Sequence, residues 1–335
     1  MKHANVSIFV PHEGCPHMCS FCNQRTITGL QGSSCTSETA DATIKLALSH
    51  LQEKSKYAEI AFFGGSFTAI ERSRMMELLE TAYPYVRDGL FAGIRVSTRP
   101  DAIDGEILEI LKNHGVTMVE LGAQSMRDDV LLANLRGHTA QDVRRASALI
   151  KEHGIGLGLQ MMTGLYRDND DGAVYTAEEI IKLRPDNVRI YPTVVLKNTM
   201  LEELMDEGKY RPQSTAEAVK LCAVLLRMFY AARIDVIRVG LHSGGGVEDG
   251  YVAGAYHPAF RELCEGEIYF NEAAEKLRGL ERGDRTILVK GSEVSKMIGQ
   301  SKVNIVRLRE MGYNCRVNPA GVENHVSEKY TVEVI

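Results

Sequence analysis

Three cysteines, Cys15, Cys19 and Cys22, stand in the stretch Gly14-Cys15-Pro16-His17-Met18-Cys19-Ser20-Phe21-Cys22, a few residues beyond an apolar run, Val6 to Val10, that reads as a strand. Three thiolates on so short a loop can close around one metal unit, but they leave a four-coordinate structural site one ligand short. An iron–sulfur cube held by three thiolates keeps one iron open to an outside ligand. Such an iron can chelate the amino and carboxylate groups of S-adenosylmethionine (SAM) and pass one electron to its sulfonium. A structural zinc is the other reading of these residues, with Cys35, His12 or His17 as fourth ligand. A disulfide framework fits poorly, because the seven cysteines are an odd number and no signal-peptide pattern opens the chain.

Further polar residues fall where strands are expected to end. Gly64-Gly65-Ser66-Phe67-Thr68 follows the second strand, and adjacent glycines expose backbone groups at close range, which suits an amino group. Ser97-Thr98-Arg99-Pro100-Asp101 follows the third and offers a hydroxyl and a guanidinium. Glu120-Leu121-Gly122-Ala123-Gln124-Ser125 closes the fourth, where Gln124 brings both donor and acceptor to a ribose or carboxylate. Leu135-Arg136-Gly137-His138 supplies an arginine able to grip a carboxylate. Gln160 faces inward from the fifth strand, and Arg189-Ile190-Tyr191-Pro192-Thr193 belongs to the sixth. Taken singly, each reads equally well as a tight turn, a helix cap, a polar loop or a surface charge.

The elements that must position these residues alternate, short apolar runs with longer amphipathic stretches. Asp104 is expected to cap one helix, and the pairs Thr176/Glu179 and Ser214/Glu217 to form capping boxes at two more. Six to seven βα units argue for the α/β class. The expected architecture is a partial (β/α)6 TIM-type barrel with its chemistry at the C-terminal strand ends, plus a small C-terminal α/β domain. The expected division is 1–240 for the barrel and 241–335 for the accessory domain.

A hydrophobic content of 44% and a charged content of 25% are ordinary for a globular chain. No stretch is apolar enough to span a bilayer, so no membrane partner is expected and a reducing, cytoplasmic setting is. A formal net charge of −5 gives no general attraction to nucleic acid.

The cysteine loop, with Phe21 ahead of its last cysteine, has the pattern C-x3-C-x-aromatic-C and resembles the radical SAM superfamily. Gly-Gly-Ser-Phe-Thr, Ser-Thr-Arg-Pro-Asp, Glu-Leu-Gly-Ala-Gln-Ser, Leu-Arg-Gly-His, Met-Met-Thr-Gly-Leu and Ile-Tyr-Pro-Thr-Val-Val then occur in order, with Tyr256-His257-Pro258-Ala259-Phe260 after them. Over roughly residues 5–260 this series is similar to the radical-SAM half of the Elongator catalytic subunit, and more distantly to oxygen-independent coproporphyrinogen dehydrogenase. The resemblance implies that Cys15, Cys19 and Cys22 hold a 4Fe-4S cluster. It implies that Phe21 contacts adenine, mainly through its backbone, and that Phe9 lies near the cluster. Gly64, Gly65 and Ser66 would take the SAM amino end, and Ser97, Gln124, Arg136 and Gln160 the carboxylate and ribose. The porphyrinogen enzymes have acidic residues where Ser97 and Gln160 stand.

The activity implied is reductive cleavage of SAM to a 5′-deoxyadenosyl radical that abstracts hydrogen from substrate, with no side chain needed as a catalytic base. Electrons would come from a donor such as flavodoxin or ferredoxin. The Elongator-like motifs favour a tRNA nucleoside as substrate. The porphyrinogen cousins and the acidic net charge favour a small metabolite or tetrapyrrole, and a non-catalytic metal-binding scaffold is a reading of a third class. The long acetyltransferase domain of the Elongator subunit has no counterpart before Ile335, so the resemblance does not carry acetyl transfer to tRNA over to this sequence.

Beyond Gly240 the character changes. A glycine-rich stretch could close over the barrel mouth, and His242 and His257 could reach substrate, though each reads equally as structural. Ten basic residues stand between Lys276 and Arg316 against four acidic ones, a local balance of +6. Ile298-Gly299-Gln300-Ser301-Lys302 resembles the G-x-x-G loop of KH domains without its second glycine. The plainer reading is a small cap in which Gly299 ends a helix. Cys222, Cys264 and Cys315 are expected as buried thiols.

Overall fold

The computed structural model describes residues 4–10, 14–15, 18–23, 35–241, 247–321 and 328–335. Seven strands pair in parallel in the order of the sequence: β1 (Ala4–Val10), β2 (Ala58–Gly64), β3 (Gly93–Thr98), β4 (Val116–Gln124), β5 (Gly156–Thr163), β6 (Asn187–Pro192) and β8 (Asp235–Val239). The sheet thus carries one strand more than a six-unit barrel, supplied by Asp235-Val236-Ile237-Arg238-Val239. A short β7 (Val194–Leu196) leaves the sheet to pair antiparallel with β9 (Tyr251–Gly254). The connecting helices are α1 (Ser37–Leu51), α2 (Arg72–Arg87), α3 (Gly105–Asn113), α4 (Asp128–Ala133), α5 (Ala140–Glu152), α6 (Asp170–Leu183), α7 (Met200–Asp206) and α8 (Thr215–Ala231). Right-handed crossovers between neighbouring parallel strands put the helices on one face, and strand twist curls the open sheet into a half-barrel.

Side chains alternate across each strand, so one set faces the helices and the other the hollow. Ile60, Phe62, Ile94, Val96, Val119, Leu121, Leu157, Leu159, Val188 and Ile190 face the helices and are buried with Ile44, Leu78, Leu108, Val143 and Ile180. Burial of each such side chain stabilises by about 1.5–3 kcal/mol. Asp104 caps α3 by accepting the Ile107 N–H at 2.8 Å, and Ser214 with Glu217 forms the expected capping box of α8. Thr176 does not cap. Helix α6 begins earlier, at Asn169, whose side chain accepts the Gly172 N–H with Asp170 and Asp171 in the first turn. Thr176 lies buried inside the helix and accepts the Met126 N–H at 3.1 Å.

The hollow is lined by a buried charge network. Glu120 takes Arg95 Nη1 at 2.6 Å, Arg189 Nε and Nη2 at 2.7 and 2.9 Å, and Gln160 Nε2 at 2.7 Å. Arg95 Nε also donates to Glu59 at 2.7 Å, and Glu59 takes the Thr117 hydroxyl at 2.9 Å. Burial pushes the Glu120 carboxyl up, but the two guanidiniums outweigh it and hold the group below its ordinary range.

After β8 come a short α9 (Val247–Gly250) and α10 (Phe260–Leu277). They are followed by β10 (Gly283–Val289), α11 (Val294–Ile298), α12 (Val303–Glu310), β11 (Tyr313–Pro319) and β12 (Glu333–Val334). The last three strands form a sheet in the order β11–β10–β12. Helix α10 packs on α8 on one side and on α11 on the other, and one apolar core runs from Phe229 and Ile268 to Ile287 and Leu308. The core is therefore continuous across residue 240. Cys222, Cys264 and Cys315 are buried in it, and burial beside Cys222 pushes the Cys264 thiol well up. Among the described residues no helix is long and apolar enough to cross a membrane.

Glu120→Ala leaves two buried guanidiniums without their shared partner. It should lower unfolding free energy by about 3–5 kcal/mol, read by urea denaturation; a loss under 1 kcal/mol would contradict the role given to this carboxylate.

Candidate cofactor site

Nearly all the expected site residues line one cavity at the C-terminal strand ends. Cys15, Cys19, Phe21 and Cys22 face Gly64, Gly65, Ser66, Ser97, Gln124, Arg136 and Gln160 across it, with Met18, Thr98, Arg99 and Gly122 completing the wall. Phe9 is not in that wall. It sits on β1 in register with Phe63, 39% exposed, on the face turned away from the buried Ile8 and Val10.

The described residues of the cysteine loop, 14–15 and 18–23, have no regular structure and are held by specific contacts. Gly14 has φ +73°, and a Cβ there would stand 2.3 Å from the Ser66 carbonyl oxygen and 2.8 Å from Ala69, so a side chain would push the loop off the β2 turn. Ser20 is fully buried. Its hydroxyl donates to Asn134 Oδ1 at 2.7 Å, its N–H to the Asn134 carbonyl at 3.2 Å, and its carbonyl accepts the Leu201 N–H at 2.9 Å. Asn134 is in turn fixed by donating to the Val130 and Tyr166 carbonyls. Phe21 packs with Val195, Leu201, Leu204 and Tyr210. Ser20 and Asn134 were invisible as site residues in the sequence, because both look like ordinary loop polars and their contact spans more than a hundred residues.

Arg136 is the bridge. Its Nη1 donates to Cys19 Sγ at 3.0 Å and its Nη2 to the Gly122 carbonyl at 2.8 Å. Its guanidinium lies 5.9 Å from the centre of the Phe21 ring, and its own carbonyl accepts from Arg99 Nη2 at 3.2 Å. Gly122 makes the room: a Cβ there would stand 3.0 Å from Gln124 Nε2 and 3.3 Å from Arg136 Nη2. Gln124 itself holds a left-handed backbone, φ +62°, uncommon for a residue with a side chain. The turn after β2 is tied to β3 by the Thr68–Thr98 hydroxyl contact of 2.6 Å.

The residues present fit a ligand of the expected kind. Arg136 Nε and Gln124 Oε1 are buried in the cavity wall without a hydrogen-bond partner among the described residues, and each such atom costs about 1–3 kcal/mol unless a ligand completes it. Gln160 donates to Glu120 and, at 3.4 Å, to Ser97, which leaves its carbonyl for a hydroxyl donor. The zinc reading finds less. Cys35 is buried in the main core, its thiol 3.8 Å from the Thr36 carbonyl, and is not in the cavity wall; His12 and His17 lie outside the described residues. Among the described residues no three His, Cys, Asp or Glu side chains converge tightly enough for a single ion.

A half-barrel with a three-cysteine loop at its open end defines a class, and comparison with known proteins agrees. The profile of the Radical SAM superfamily matches residues 9–180, and that of a Radical_SAM C-terminal domain matches residues 185–269. The chain belongs to the radical SAM superfamily, whose members are enzymes that bind a 4Fe-4S cluster and SAM. It is 34% identical over 141 residues to Elongator complex protein 3 of Homo sapiens, covering 41% of this chain and 25% of that protein. It is also 34% identical over 130 residues to the tRNA uridine(34) acetyltransferase of Methanocaldococcus jannaschii, covering 38% of this chain and 24% of that protein. The matched stretch is thus about a quarter of the length of these relatives. Among solved structures, Elp3 of Methanocaldococcus infernus superposes with a TM-score of 0.63 at 21% identity, over 83% of this chain and 64% of that one. Streptococcus suis SuiB bound to S-adenosylmethionine superposes at 0.51 and 11% identity, over 71% of this chain and 51% of that one. At these identities the superpositions speak for the fold.

His138, behind Arg136, is 4% exposed and faces the Ala123 carbonyl through Nε2 at 3.2 Å. Burial, with Arg136 adding to it, pushes its pKa from 6.5 down to about 4. Between those values the unfolded chain binds the proton and the folded one does not, so this residue's contribution to stability falls as pH drops from about 6.5 to about 4. Asp168, raised by burial from 3.8 to about 6, works in the opposite sense in the overlapping window. His138→Gln should therefore lose about 1–2 kcal/mol less stability than the parent between pH 7 and pH 5, measured by denaturant titration at both. An unchanged difference would contradict a neutral buried imidazole.

Proposed function

We propose that the chain is a radical SAM enzyme acting on a nucleoside in tRNA, with Cys15, Cys19 and Cys22 holding the cluster and the adjoining cavity holding SAM. The observation that carries the reading is the convergence of the three thiols with Arg136, Gln124, Gln160, Ser97 and the Gly64-Gly65-Ser66 turn on one cavity. Held by Cys15, Cys19 and Cys22 and by the adjoining cavity, cluster and SAM would supply one-electron reductive chemistry for hydrogen abstraction from substrate.

The chain's own residues bind, orient and shield. Arg136 can clamp a carboxylate while its Nη1 holds the Cys19 sulfur, so ligand and loop are set by one side chain. Gln124 Oε1, buried and without a partner among the described residues, suits an amino or hydroxyl donor. The Gln160 carbonyl and Ser97 hydroxyl suit a ribose, taking the place of acidic residues with neutral acceptors. Phe21, packed from behind by Tyr210 and Leu204, offers a flat apolar wall for adenine and keeps water from it. The electron donor is of the flavodoxin or ferredoxin kind, and the oxygen-sensitive cluster calls for a reducing, cytoplasmic compartment. The tRNA reading rests on the Elongator-like relatives and on the cations beyond Lys276; residues 241–335 are proposed as an accessory domain to the barrel of 1–240.

Anaerobically reconstituted, reduced protein should convert SAM to 5′-deoxyadenosine, and Cys19→Ala should abolish this. No 5′-deoxyadenosine from fully loaded protein would overturn the radical reading. With tRNA from cells grown in deuterated medium, deuterium should appear in the product. Its absence, with turnover on a small metabolite or tetrapyrrole instead, would overturn the tRNA assignment alone.

A further inference from the structure

Elements β10, α11, α12 and β11 make a β–α–α–β unit whose two strands lie side by side in parallel, Gly283 opposite Tyr313 through Val289 opposite Pro319. The helices are joined by Gly299-Gln300-Ser301-Lys302. Gly299, Ser301 and Lys302 all have positive φ, at 76°, 52° and 62°. Two consecutive non-glycine residues in the left-handed region cost of order 1–3 kcal/mol each and persist only where the surroundings fix them. Asn304 does so, donating to the Gly266 carbonyl at 2.9 Å and the Met297 carbonyl at 3.1 Å. The α12 N-terminus that follows has no side-chain cap among the described residues, and its N-cap residue, Lys302, is exposed.

Two further observations point the same way. First, the basic excess of this region is largely unspent. Lys296 is committed to Glu265 and Glu293, and Arg307 to Glu267, with its guanidinium over the Phe270 ring. Lys276, Arg282, Lys290, Lys302, Arg309 and Arg316, by contrast, have no carboxylate at ion-pair distance among the described residues. Second, a groove of about 460 Å³ runs beside the loop, lined by Ala216, Val219, Leu263 and Val303, the last 45% exposed, with Lys220 and the carboxylates of Glu262 and the Arg307-paired Glu267 also in its wall. A predominantly apolar wall that carries Lys220 and adjoins the exposed Lys302 suits a flat base with its phosphate, and suits an acidic peptide less.

We propose that this loop and groove bind single-stranded RNA, with backbone phosphates on the Gly299–Lys302 loop and on Lys302 and Arg309, and a base against the groove floor. KH domains use a loop in this position to clamp backbone nucleotides; here Lys302 stands where their second glycine would be, exchanging backbone freedom for a charge. The inference deepens the tRNA reading and rests on it for the RNA's identity, but not on the radical chemistry.

The test uses the full chain and a fluorescein-labelled single-stranded RNA oligonucleotide, with bulk tRNA as competitor, followed by anisotropy. The parent should bind with an affinity that falls with salt. The double variant Gln300→Asp/Ser301→Asp changes only exposed loop residues and should weaken binding at least tenfold, while its circular dichroism and its SAM cleavage without RNA stay those of the parent. Lys302→Ala/Arg309→Ala should lower the slope of log affinity against log salt by about 1.4, at about 0.7 per phosphate contact. Absence of RNA binding by the parent, or equal binding by parent and loop variant, overturns the proposal. Loop-dependent RNA binding without any 5′-deoxyadenosine formation would support it and strike the radical reading alone.

Discussion

A carboxylate buried in the hollow of the half-barrel holds the rest in place. Glu120 is reached by Arg95 from β3, by Arg189 from β6 and by Gln160 from β5, so one side chain ties four strands together across the face that carries no helices. A lone carboxylate in such a place would be strongly disfavoured; two guanidiniums and an amide make it tolerable, and their removal would not. Because the interior is filled with paired charge near the middle of the strands, a ligand is left the C-terminal ends. The Gln160 amide is already spent on Glu120, which fixes the orientation of the carbonyl it presents to the cavity.

The cysteine loop faces the opposite problem, since it has no ladder of its own to rely on. It is clamped from three sides: Gly14 against the turn after β2, Ser20 against Asn134 and α7, and Cys19 against Arg136. Arg136 is held by Gly122, which sits at the end of the same strand as Glu120. The polar interior and the thiol loop are therefore linked through β4, and strain accepted at Gln124 is stored beside the atoms that a ligand would complete.

Much of this could be read from residue order. Short apolar runs separated by amphipathic stretches gave the parallel sheet, and motifs at strand ends fell together because a half-barrel brings those ends to one mouth. What stayed hidden was pairing between distant residues. Glu120 and Arg189 were noted as parts of motifs, yet nothing in the sequence shows that they meet. Ser20 and Asn134 were missed for the same reason. The capping box at Thr176 was outcompeted by Asn169 with two acids behind it, and the strand Asp235–Val239, five residues long and carrying the charges of Asp235 and Arg238, did not stand out as the seventh. Charge counting treated Arg307 and Lys296 as surface cations, whereas Glu267, Glu265 and Glu293 turn them into structural ties.

The central claim is that the thiol loop and the Arg136–Gln124 cavity form one site in which a cluster-bound iron meets SAM. Electron paramagnetic resonance of the reduced, anaerobically reconstituted protein tests it most directly. The account predicts a cluster signal whose g-values move when SAM is added, and a shift that is lost in Arg136→Ala at the same SAM concentration with cluster content unchanged. A signal indifferent to saturating SAM in the parent protein would contradict it.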